Sequence, residues 1–126
     1  MLKEEARLFQ TLNGKLLGVS VIPFQTMTKK KLIRQKFRES VFKRDGYKCV
    51  FCDTKENLDA HHITDRNEMP NGGYVLENGI TLCSDHHILA EGFHNGNLIY
   101  GWLPEDMYKA IKTSYNEAYR KSLELK

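Results

Sequence analysis

The chain has 126 residues, of which 40% are apolar and 28% charged, a balance that suits one soluble domain with a single modest core and leaves no room for two. Its longest apolar stretch, Leu16 to Phe24, is interrupted by Gly18, Ser20 and Pro23 and falls short of the roughly 20 residues needed to span a bilayer, which excludes a membrane protein. Three cysteines cannot close a disulfide framework, so metal binding is the first use to consider for them.

The first 28 residues support two readings. Asn13-Gly14 suits a tight hairpin turn, whereas the run before Gly14 equally suits a helix ending at its cap. The opening MLKEEARLFQ carries acidic residues where a secretory leader would be basic, so a cytoplasmic location is expected. From Lys29 to Asp45, Ile33, Phe37 and Val41 recur every fourth residue, which predicts a helix stopped by Asp45-Gly46. The overall charge of +3 hides a strong asymmetry. Between residues 29 and 48 nine basic side chains face only two acidic ones, a net +7 that leaves −4 for the remainder.

From Tyr47 to Asn97 the elements are short and every cysteine and histidine is found. Leu58 to Thr64 and Gly79 to Leu82 read as strands, and Ser84 to Glu91 as a helix. The tail from Pro104 to about residue 124 reads as one amphipathic helix with Met107, Ile111, Tyr115, Tyr119 and Leu123 on a stripe expected to pack into the core.

Two constellations occupy the middle stretch. Cys49-x-x-Cys52 and Cys83-x-x-His86 each bring two ligands to one point, and together they make a tetrahedral set whose soft donors favour structural Zn²⁺. His61, His62, Asn78 and His87 are left over, and a zinc clip has no use for them. Successive residues on a strand face opposite ways, so His61 and His62 cannot share one role: one can bind an ion while the other addresses a substrate. His94 has no place in either pattern and reads as a loop residue.

The runs RESVFKRDGYKCVFC, LDAHHITDR, GGYVLENGITLC and CSDHHILAEG, which span about residues 38–92, resemble the HNH family of nucleases with the ββα-metal fold. The resemblance implies a zinc-stabilised core over about residues 38–97, a short antiparallel hairpin plus helix, flanked by the basic helix and the C-terminal helix. The whole is then a small α+β protein. The resemblance also implies that His61 and His87 hold a catalytic divalent ion, that His62 is the general base, and that Asn78 orients the site. Where some members have a further histidine this chain has Glu91, which either completes the metal site or faces solvent. His86 stands where the family usually has cysteine. The activity implied is metal-dependent cleavage of DNA by nicking or double-strand scission, leaving 5′-phosphate and 3′-hydroxyl ends, in a stand-alone protein of the kind phages and mobile elements carry.

With that resemblance the basic segment gains a use. Lys29, Lys30, Lys31, Arg34, Lys36, Arg38, Lys43 and Arg44 are expected to contact DNA phosphates, and Arg66 to clamp one near the scissile bond. Two neutral imidazoles favour Mn²⁺, Co²⁺ or Ni²⁺ over Mg²⁺ as the catalytic ion. A monomer or weak homodimer is expected. The rival readings are a non-catalytic zinc-knuckle nucleic-acid-binding module, which leaves His61, His62, Asn78 and His87 without work, and a zinc-stapled protein-interaction module, which leaves the basic segment without a use.

Overall fold

The computed structural model describes residues 28–125; the N-terminal reading around Asn13-Gly14 lies outside them. Helix α1 spans Lys29–Arg44, strand β1 Leu58–His62, strand β2 Gly79–Cys83, helix α2 Ser84–Glu91, helix α3 Pro104–Ala110 and helix α4 Tyr115–Leu123. Three short 3₁₀ turns, Arg66–Glu68, Pro70–Gly73 and Leu76–Asn78, occupy the connection between the strands. A mixed fold results, in which an antiparallel hairpin followed by a helix has the ββα-metal arrangement.

Residues paired directly across an antiparallel ladder share a face. His62 pairs with Gly79 and Ala60 with Thr81, whereas His61 pairs with Ile80 and Asp59 with Leu82. The first set faces α1 and the second faces the other way. Ile80 and Leu82 are fully buried in a core with Ile63, Met107, Tyr108 and Ala118, and each large aliphatic side chain so buried contributes about 1.5–3 kcal/mol.

Helix α1 starts where Thr28 accepts a hydrogen bond from Lys31 N at 3.1 Å. It buries Phe37 and Val41 against the hairpin, as their spacing predicts. The close approach depends on Gly79: a Cβ there would lie 2.5 Å from Val41 Cγ2 and 2.7 Å from Phe37 Cζ. Its C-terminal end is clamped by Arg44 and Asp45. Arg44 donates to both carboxylate oxygens of Asp45 at 2.8 and 2.9 Å, and to the carbonyl oxygens of Leu76 and Gly79 at 2.7 Å each. Asp45 in turn accepts from Thr81 N at 2.9 Å. The guanidinium of Arg44, grouped above with the DNA-contacting side chains, thus ties helix to hairpin.

The single C-terminal helix is also corrected. Lys112 adopts φ +62° and Ser114 caps a new helix by accepting from Glu117 N at 3.1 Å, so the chain turns between α3 and α4. The turn rotates the stripe out of register. Met107 is buried, but Tyr115, Tyr119 and Leu123 are 45%, 41% and 59% exposed, and α4 packs inward through Ala118 and Ser122 instead. Among the described residues no helix is long and apolar enough to cross a membrane.

Candidate functional site: two ligand clusters on one hairpin

The first cluster joins the knuckle before β1 to the end of β2. Cys49 N donates to Thr54 O and Asp53 N to Cys49 O, both at 2.9 Å, and these bonds turn the chain so that Cys49 and Cys52 point together. Cys83, the last residue of β2, directly precedes α2, whose first turn carries His86. Cys52 Sγ lies 3.7 Å from Cys83 Sγ, and His86 Nδ1 lies 3.5 Å from Cys49 Sγ and 3.2 Å from Cys83 Sγ. A tetrahedral zinc ion with ordinary bond lengths sets sulfur–sulfur edges of about 3.7–3.8 Å and sulfur–nitrogen edges of about 3.6 Å. The donors therefore fit zinc in both type and spacing.

Burial pushes the Cys49 thiol up, but backbone N–H groups of Cys83, Phe51 and Cys52, with the His86 ring, more than offset it and hold it at about 6. A thiol so placed is readily a thiolate ligand. Trp102 stacks on His86, with centroids 5.2 Å apart and planes 14° apart, and Phe51 packs 4.8 Å from Trp102. These rings hold the imidazole in its orientation.

The second cluster lies on the face of β1 that carries Asp59 and His61. His61 is buried, and that burial, then the nearby His87, His94 and His62, push its pKa down to about 3. Oε1 of Glu91 is 3.4 Å from His61 Nδ1 and 3.4 Å from His87 Nε2. Asp59 Oδ2 is 3.5 Å from His87 Nδ1, and its other oxygen is 3.5 Å from Arg38 Nη1. His94 is drawn in as well. Its ligating atom and those of His61 and Glu91 lie within 4.8 Å of one another, a second group able to hold a metal ion. These residues, with His62, Asp65 and Arg66, line an open groove of about 220 Å³.

On the α1 face His62 occupies different surroundings. Its ring stacks on Phe37 at 4.4 Å and meets the edge of Tyr74 at 4.8 Å. Burial lowers its pKa, and its Nε2 is buried with no hydrogen-bond partner among the described residues. A neutral imidazole so held can accept a proton. His62 also lines a neighbouring groove of about 370 Å³ with Arg34, Arg38, Arg66 and Tyr74. Burial would raise the Tyr74 phenol, but Arg66 and Arg34 lower it overall.

Asn78 is buried and uses its whole amide. Oδ1 accepts from Thr64 N at 3.0 Å and Tyr108 OH at 2.8 Å, and Nδ2 donates to Thr64 O at 3.0 Å and Gly73 O at 3.2 Å. It thereby fixes the chain just beyond His62 and joins it to α3.

The hairpin thus brings together His61, His62, Asn78, His87 and Arg66 from the sequence pattern, and places Glu91 beside His61 and His87. It also adds Asp59, Tyr74, Tyr108 and His94, which the pattern missed. For His94 the loop reading is corrected: the 3₁₀ turn Gly92–Asn95 continues from α2 and carries it against the site. The signal was present, because His87, Glu91 and His94 follow one another at four and three residues, the spacing of a single helical face.

Comparison with known proteins gives the same class. Residues 49–94, a little over a third of the chain, match the family model described as HNH endonuclease, so that stretch is similar to that family. No curated protein and no solved structure matches it.

Proposed function

We propose that the protein is a metal-dependent endonuclease that hydrolyses DNA phosphodiester bonds to 5′-phosphate and 3′-hydroxyl ends. The observation that carries the reading is the division of labour across β1. His61 faces Glu91, His87 and His94, while its neighbour His62 sits between Phe37 and Tyr74 on the opposite face, beside an arginine-lined groove.

A phosphodiester repels a nucleophile with its own charge and parts from a poor alkoxide leaving group, so catalysis rests on positioning and electrostatics. His62 takes the proton of the attacking water. Because Nε2 is buried, Nδ1 is the nitrogen that receives it. Phe37 and Tyr74 fix the ring plane, and Asn78 fixes the backbone that follows. His61, His87 and Glu91 would hold the divalent ion, which when bound supplies Lewis-acid stabilisation of charge at the phosphate. The clustered nitrogen donors favour Mn²⁺, Co²⁺ or Ni²⁺ over Mg²⁺. Cys49, Cys52, Cys83 and His86 would hold structural zinc. They fasten the knuckle to the base of α2 and so set where His87 falls.

Arg34, Arg38 and Arg66 lie where a DNA backbone entering the groove would pass His62, and Lys29, Lys30, Lys31, Lys36 and Lys43 extend the positive surface along α1. A single domain is the unit, with the N-terminal segment 1–28 as an extension, and a phage or mobile element is its proposed setting. Supercoiled plasmid incubated with the protein and Mn²⁺ should be nicked, and EDTA should stop the reaction. A protein that binds plasmid without cutting it under any of the named ions would overturn the proposal.

A further inference from the structure

We propose that His94 is a direct ligand of the catalytic ion, which gives this site an imidazole beyond the histidines its sequence pattern supplies. The inference rests on the nuclease reading for the ion's purpose but on geometry for its existence. His94 shares with His61 and Glu91 a set of ligating atoms all within 4.8 Å, and its ring centroid lies 5.4 Å from that of His61. Donors about 2.0–2.2 Å from one ion would stand about 2.8–3.6 Å apart at neighbouring coordination positions. The 3.4 Å separations from Glu91 Oε1 to His61 Nδ1 and His87 Nε2 already have that spacing.

The tautomer of His94 supports the role. Its Nε2 is 3.3 Å from the backbone carbonyl oxygen of His62, and a carbonyl can only accept, so Nε2 carries the hydrogen. Nδ1 of the neutral ring then holds a lone pair. Metal-binding histidines characteristically donate their second N–H to a carbonyl or carboxylate in this way, which fixes the ring and raises its basicity. The same bond ties the ligand to the backbone of the residue next to His61, so metal and base positions move together. His87 is held comparably, with Nδ1 near Asp59. Counting His61, His87 and His94 against Glu91, nitrogen donors outnumber oxygen three to one, a set for a first-row transition ion.

The test is direct measurement of Mn²⁺ binding to zinc-loaded protein, from the paramagnetic resonance signal of the free ion. His94→Ala removes both the ligand and the hydrogen bond to the His62 carbonyl; His94→Gln keeps an amide donor for that carbonyl while losing the imidazole. Both should bind Mn²⁺ at least about tenfold more weakly than wild type, with zinc content and melting temperature retained. Wild-type Mn²⁺ affinity in His94→Gln would overturn the inference, because His94 would then act only through the carbonyl. Plasmid cleavage reports separately. Mn²⁺ binding that depends on His94 in a protein unable to cut DNA keeps the ligand and removes the enzyme, whereas cleavage with His94-independent binding removes only this inference.

Discussion

The two ligand clusters sit at opposite ends of one small hairpin and differ in every property that separates a fastening from a reaction centre. At the Cys83 end four protein donors converge with zinc-like edges, and Trp102 and Phe51 cover the histidine. At the His62 end the donors line an open groove, and carboxylates from Asp59 and Glu91 stand among the rings. A closed four-donor shell has no position for a substrate, whereas a partly protein-lined one does. β1 and β2 link a stable end to a precise one: the clip sets the start of α2, α2 carries His87 and Glu91 to the strand, and the 3₁₀ turn after it carries His94.

The largest expected effect breaks the closed end. Cys49→Ser or Cys83→Ser should unfold much of the domain, since structural zinc carries on the order of 10 kcal/mol of folding free energy in small modules. Thermal melts with zinc analysis would show this, and an unchanged melting temperature would remove zinc from the structural role. At the open end the effect should be chemical. His62→Ala should lower plasmid cleavage by about 10²–10⁴-fold while the melting temperature, zinc content and DNA affinity stay near wild type.

Between these lies the packing that joins α1 to the hairpin. Gly79→Ala drives a methyl group into Val41 and Phe37, the ring on which His62 stacks, so about 1–3 kcal/mol of stability should be lost together with cleavage. Chemical denaturation and a plasmid assay on the same preparation would test whether the two losses coincide.

The smallest effects sharpen the division within α1. Lys36→Ala should leave stability unchanged and reduce the slope of log DNA affinity against log salt by about 0.9. Arg44→Ala should do the opposite, leaving the slope alone while costing about 3 kcal/mol because Asp45 is left buried without its partner. Equal slopes for wild type and Lys36→Ala would make the helix face an ordinary solvated surface.

How much of this was legible in the sequence follows from the same contrast. The closed cluster is written as two local spacings, Cys49-x-x-Cys52 and Cys83-x-x-His86, and needs only one turn of chain to be recognised at each. The opposite facing of His61 and His62 follows from strand geometry alone, and α1 from Ile33, Phe37 and Val41. The open cluster was only half legible, because Asp59 joins it through strand alternation with His61, and His94 through a 3₁₀ turn prolonging the direction of α2. Tyr74 and Tyr108 reach His62 and Asn78 across the fold, and no local pattern encodes such contacts. The C-terminal break was written locally in Ser114-x-x-Glu117, a capping signal overridden by the longer apolar stripe. The internal bonds of Arg44 were not legible, because charge alone does not distinguish a side chain that meets solvent from one that closes a helix end.

One hairpin would then hold a structural metal and a separate catalytic one. Brief treatment of the purified protein with EDTA, removal of the chelator, and measurement of zinc content, melting temperature and plasmid cleavage on one sample distinguish the two. The predicted result is about one retained zinc per chain, an unchanged melting temperature and no cleavage until Mn²⁺ is added. Full cleavage by that sample before any ion is returned would contradict the claim.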